Sequence, residues 1–186
     1  MSYAHKLGVE NMAAKAIQGR AVLVDLEAHF GADRIVVGYE DLARVLAADD
    51  VVVEPGDLLV LHTGFARHVL AQQGTPTPEA LRVCAVLDGS DPALHDWIRD
   101  SGVAAIAADN YAVEAFPPTT ELRDAPALPL HELCLFRLGV HLGELWWLSD
   151  LANHLRAQHR SRFLLTAPPL RLPGATGSPL TPIATV

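Results

Sequence analysis

His131 and Glu144 close the segments LPLH (128–131) and HLGE (141–144), an imidazole and a carboxylate thirteen positions apart. Neutral imidazole and carboxylate are both good ligands for Zn²⁺ or Mn²⁺, so the pair suits one part of a divalent-metal site. A cation used for hydrolysis needs three or more protein ligands and an open position for water. The sequence shows no convincing further set. Read without chemistry, the same pair is a helix cap and a surface carboxylate. His141, three residues before Glu144, is a rival ligand and equally a hydrogen-bonded core histidine.

Asp109, Asn110 and Glu114 in ADNYAVE (108–114) make a compact polar cluster after a buried-type strand. Open α/β sheets place functional groups at strand ends. The competing reading is turn chemistry, with Asp and Asn bonding their own backbone. Thr63 and Gly64, together with the amides of GATGSP (174–179), could line a pocket and donate to a developing oxyanion. GATGSP lacks the lysine and the following helix of a phosphate-binding loop. Neither a GxSxG elbow nor a CxxC pair occurs, and Cys84 and Cys134 read as buried, reduced thiols. His154 and His159 fall on a charged, solvated helix. Phe65, Tyr111, Trp146 and Trp147 are candidate pocket walls, though paired tryptophans also serve cores and interfaces.

The elements that must position these groups alternate in type. A mainly helical pattern over 4–17 closes at Gly19, and AVLVDL (21–26) reads as a short buried strand. Leu42, Val45 and Leu46 fall at helical spacing in 39–48, with Asp41 near the start, where the helix dipole favours a carboxylate. Residues 51–63 read as a strand, a Pro-Gly turn and a more deeply buried strand. Helices are expected at 65–72, 78–86 and 92–100, and a buried strand at 103–109. Pro129 suits the first turn of a helix running to Gly139. That places His131 near a helix N-terminus, where the dipole disfavours imidazolium and leaves a ring nitrogen free. A helix near 149–159, a strand over 163–172 and a last short strand in TPIATV complete the chain. The fold class is α/β or α+β, without the regularity of a doubly wound sheet.

Composition bounds the function. The chain has 186 residues, 50% of them hydrophobic and 19% charged, which argues for one packed domain over 1–186 and against disorder. The net charge of −8, with scattered basic residues, argues against nucleic acid or an anionic membrane as partner. No signal pattern and no apolar run near 18 residues occurs, so a cytoplasmic location is expected.

The stretches GRAVLVDL (19–26), VEPGDLLVLHTG (53–64), GVAAIAADNYAVEAFP (102–117), LPLH (128–131), GVHLGELWWLSDLA (139–152) and APPLRLPGATGSPLTPIA (167–184) resemble the C-terminal part of the cyclase family. Those metal-dependent hydrolases include kynurenine formamidases, which act in tryptophan catabolism, and isatin hydrolases. The resemblance implies a swivelling β/β/α fold, a homo-oligomer, a zinc or manganese cofactor and a small-molecule formamide or cyclic amide as substrate. It matches His131 and Glu144 to the late metal ligands. Asp109, Asn110 and Glu114 match a recurrent cluster nearby. The family's early H-x-G-T-H-x-D-x-P-x-H stretch, source of the first ligands and of a catalytic histidine, has no counterpart. The chain is therefore expected to be an N-terminally truncated domain with its catalytic residue unassigned: either an amide hydrolase or a degenerate homologue that binds a small molecule or partner.

Overall fold

Three apolar runs, at 21–24, 58–61 and 105–108, form the middle of a six-stranded sheet. Runs without alternation suit strands covered on both faces. The computed structural model describes residues 4–118 and 126–186.

In chain order the elements are α1 (Val9–Lys15), β1 (Gln18–Asp25), α2 (Leu26–Phe30), β2 (Val36–Val37), α3 (Tyr39–Ala48), β3 (Leu58–His62), α4 (Phe65–Ala71), β4 (Val86–Leu87), α5 (Pro92–Ser101), β5 (Ala105–Ala108) and α6 (Pro129–His131). A π-helical stretch, Glu132–Leu138, continues α6, and β6 (His141–Gly143), α7 (Ser149–Ala157), β7 (Arg162–Thr166) and β8 (Ile183–Thr185) follow. The main sheet runs β6-β5-β3-β1-β7-β8, parallel from β6 to β1 and antiparallel at β7 and β8. β2 and β4 form a separate parallel pair.

Strand alternation divides the core in two. Val22, Val24, Leu59, Leu61 and Ile106 pack with Leu42 and Val45 of α3 and Leu94 and Ile98 of α5. Ala21, Leu23, Leu58 and Val60 pack with Ala152 and Leu155 of α7 and with Phe163 and Leu165 of β7. Pro92 opens α5 beside Asp91, whose side chain accepts from the Ala93 amide at 2.8 Å, and Gly102 ends it in the left-handed region.

The expected helix at 39–48 is α3, bound for bound. Two expectations fail. Residues 51–54 are not a strand, because β1 and β5 already flank β3 on both sides; Val51 is buried in the core from irregular backbone instead. Residues 78–85 form turns rather than a helix, and the segment ends in β4. The strand expected over 163–172 stops at Thr166, shortly before Pro168 and Pro169, which have no N–H to offer a ladder. Among the described residues no helix is long and apolar enough to cross a membrane.

Candidate functional site

β1, β3 and β5 run parallel, so their C-terminal ends gather at one edge of the sheet. Asp25, His62 and Asp109 stand there, all buried. The Asp109 carboxylate accepts from the Thr63 amide and the Thr63 hydroxyl, each at 2.7 Å, and from the Ala66 amide at 3.4 Å. It therefore ties the end of β5 to the end of β3 and the first turn of α4, across the sheet rather than within its own turn. Gly64, with φ +82°, makes the bend between β3 and α4. The Asn110 side-chain amide donates to the Ala85 and Val113 carbonyls at 3.3 and 3.4 Å. Asp109 and Asn110 thus point into different bonds, and neither forms one cluster with Glu114.

Glu114 turns the other way. Its carboxylate is completely buried and faces the start of α6, where it accepts from the Leu130 amide at 2.9 Å and the His131 amide at 3.0 Å. The same carboxylate lies 2.9 Å from His131 Nδ1, and Glu144 Oε1 lies 3.0 Å from His131 Nε2. Gly139, at φ +72°, turns the chain from the π-helical stretch into β6, and β6 carries Glu144 back to His131. The imidazole thus sits between two carboxylates, with side-chain exposure of 23% for His131 and 35% for Glu144.

The electrostatics correct one expectation. Position near a helix start was expected to disfavour imidazolium. Instead the hydrogen bonds to Glu114 first and Glu144 second raise the His131 pKa to about 9, against the opposing effect of burial. Two full charges at contact outweigh the fractional charge of a helix end. Glu144 is correspondingly held below the usual carboxylate range by His131, with help from the Ala112 amide.

His131, His141 and Glu144 line one cavity of about 540 Å³, walled largely by apolar residues such as Met12, Leu135 and Leu180. Thr176, Gly177 and Ser178 of the GATGSP segment line it too. An adjoining cavity of about 530 Å³ shares Glu144 and adds Trp146 and Trp147 as walls. Phe65 and Tyr111 pack against each other with their rings tilted by 60° and ring centroids 5.4 Å apart. His141 is half-buried on edge strand β6, and burial lowers its pKa. The two cysteines are buried free thiols, and burial pushes Cys84 up to about 11 and Cys134 up to about 12.

Sequence reasoning missed a buried dyad. His62 Nδ1 lies 2.8 Å from Asp25 Oδ1, and Arg156 pairs with the same carboxylate. The signal was present: a histidine and an aspartate each ending an otherwise apolar strand.

As donors, His131 Nε2 and the Glu144 carboxylate have the chemistry of two positions around a divalent cation, on one cavity wall. Among the described residues no group of three or more His, Cys, Asp or Glu is placed to hold an ion. The fit is that of a partial donor set.

Residues 2–115 match the family described as Putative cyclase. No curated protein matches the chain. A solved structure described as a novel cyclase is 35% identical, with a TM-score of 0.77 over 96% of this chain and 56% of its own. Isatin hydrolase A from Labrenzia aggregata, bound to benzyl benzoate, is 15% identical, with a TM-score of 0.67 over 95% of this chain and 64% of its own. A potential metal-dependent hydrolase with cyclase activity is 20% identical, with a TM-score of 0.56 over 89% and 64%. The latter two share the mixed α/β fold. The chain spans between 56% and 64% of the length of these three structures.

Proposed function

This chain belongs to the cyclase family, and we propose that His131 and Glu144 are two donors to a divalent cation used in hydrolysing a formamide or a cyclic amide. The contact that carries this reading is the 3.0 Å approach of His131 Nε2 and Glu144 Oε1 on the wall of a cavity. The neighbours named for isatin hydrolysis and metal-dependent hydrolysis support the reaction class. Isatin is itself a cyclic amide.

When bound, such a cation supplies Lewis acidity: it polarises a carbonyl and acidifies water. The rest falls to the chain. Glu144, held ionised, supplies negative charge at the cavity wall. Met12, Leu135 and Leu180 exclude water around a small substrate, which strengthens charge interactions inside. One imidazole and one carboxylate accept zinc and manganese alike. Leu135, Phe136, Leu145 and Trp147, exposed in the segments that follow the two donors, support a homo-oligomer.

A second reading, small-molecule binding without catalysis, draws on the donor count among the described residues: two where hydrolysis needs at least three. Metal content by mass spectrometry, after dialysis against zinc and manganese, separates the two. The hydrolase reading expects about one equivalent retained, lost in both His131→Ala and Glu144→Ala. No retained metal in the unsubstituted chain would favour the second reading, and retention in both variants would remove these two residues from the site.

A further inference from the structure

We propose that Glu114 is a positioning residue that holds the His131 ring by Nδ1 and thereby commits Nε2 to the cavity. The inference rests on reading His131 and Glu144 as metal donors, and it assigns the group that sets their affinity.

A carboxylate only accepts hydrogen bonds, so the proton in the 2.9 Å contact belongs to His131 Nδ1. By the same rule the Nε2 contact with the Glu144 carboxylate carries a proton on Nε2 in the cation-free chain. A cation would replace that proton and leave the one on Nδ1, so the coordinating lone pair belongs to Nε2, the nitrogen that faces the cavity. The same carboxylate also accepts from the backbone amides of Leu130 and His131. One buried anchor therefore fixes both the backbone from which the ring springs and the ring's rotation.

The surroundings of Glu114 leave it no other place. A Cβ on Gly89 would lie 1.8 Å from Glu114 Oε2, so only glycine fits beneath the carboxylate. The backbone bonds from Leu87 N to Val113 O and from Ala115 N to Leu87 O, at 3.1 and 2.8 Å, pin Glu114 from either side to β4. Ala112 and Val113 both have positive φ, at 67° and 60°. That region is costly for a β-branched valine, and it persists only where surrounding bonds over-determine it. The strained pair directs the Glu114 side chain inward to α6.

Glutamine at this position keeps one acceptor oxygen, sets its NH2 against an N–H that a carboxylate oxygen now serves, and brings no charge to Nδ1, so the ring loses its anchor. The test is the Zn²⁺ affinity of the chain, by competition with a chromophoric chelator, for the unsubstituted protein, Glu114→Gln and Gly89→Ala. Circular dichroism confirms folding in each. Glu114→Gln is expected to bind Zn²⁺ about 10- to 100-fold more weakly, the usual effect of losing a partner behind a metal-bound histidine. Gly89→Ala displaces the carboxylate without deleting it and is expected to weaken binding in the same direction. If Glu114→Gln fails to fold, Gly89→Ala and the ¹⁵N signals of the zinc-loaded His131 ring decide, with a proton expected on Nδ1. Zinc bound at Nδ1, or unchanged affinity in a folded variant, would overturn the proposal. Unchanged affinity in Glu114→Gln beside lost binding in His131→Ala would overturn positioning alone. Absence of zinc binding by the unsubstituted chain would overturn the donor reading and this inference with it.

Discussion

His131 Nε2 and Glu144 Oε1 lie 3.0 Å apart although a helix end, a glycine turn and an edge strand separate them in sequence. Neither residue is held by the other alone. Glu114 fixes the ring from behind, and the Ala112 amide bonds to Glu144. The short segment Ala112–Glu114 therefore touches both His131 and Glu144, which ties its backbone strain to this pair rather than to the loop alone.

Asp109 should matter more for stability than its loop position suggests. Asp109→Ala would leave the Thr63 amide and hydroxyl, both fully buried, without an acceptor. Each buried group left unsatisfied costs about 1–3 kcal/mol, so a loss of about 3 kcal/mol is expected. In a chain of this size that lowers Tm by roughly 6–12 °C. Asp109→Asn keeps one acceptor oxygen and should lose less. Thermal unfolding checks both; an Asp109→Ala protein with an unchanged Tm would mean that these bonds do not tie β3 to β5.

Gly64 and Gly139 form a matched pair. Both lie in the left-handed region, with φ of 82° and 72°, which alanine adopts only at about 1–2 kcal/mol. A Cβ on Gly139 meets nothing within 4 Å, whereas one on Gly64 would lie 2.3 Å from Glu27 Oε1, which is itself paired with Arg67. Gly64→Ala should therefore shift the urea midpoint clearly further than Gly139→Ala. Equal shifts would show that Glu27 moves aside freely and that only backbone strain counts at position 64.

Acid should destabilise the protein through Asp57. Burial, the largest single effect, raises the Asp57 pKa. The bidentate bonds from Arg20 at 2.7 and 2.8 Å and the Glu54 amide at 2.7 Å together outweigh it, and the net shift is downward from 3.8. A folded pKa below the unfolded one means stability that is present above about pH 4 and lost as pH falls through the folded value. Asp57→Asn should be less stable near neutrality and should flatten that part of the acid limb. Denaturant unfolding between pH 2 and 6 measures it, and an unaltered slope in the variant would assign the limb to Asp25, whose pKa is also lowered.

Local signals made much of this legible from sequence. Leu42, Val45 and Leu46 at helical spacing marked α3, and unbroken apolar runs marked β1, β3 and β5. His131 and Glu144 were legible as a pair only through residue type and motif order, since their approach depends on a turn at Gly139 and on β6 pairing with β5. The contact of Glu114 with α6 was not legible, although the resemblance already set the residue in a cluster near His131 and Glu144. It depends on strained backbone at Ala112 and Val113, and on a glycine 25 positions earlier that leaves room for the carboxylate. Residues 51–54 misled for a related reason: apolar β-branched sequence gives strand propensity, but pairing needs a free edge, and β3 has none.

His141 separates a structural histidine from a ligand. It sits on edge strand β6, pairs in register with Ala105, and burial alone lowers its pKa, so the ring is neutral near pH 7. Strand alternation puts it on the face of Ala105 and Ala107, away from the face of Leu142. A half-buried neutral ring at such a place contributes mainly packing. His141→Leu should keep metal stoichiometry and hold or raise Tm, because leucine buries more apolar surface at roughly 25 cal/mol per Å². His141→Gln should keep stoichiometry and lower Tm slightly. Loss of metal in both variants with Tm unchanged would make His141 a third donor, and the partial set of His131 and Glu144 would then be complete enough for hydrolysis.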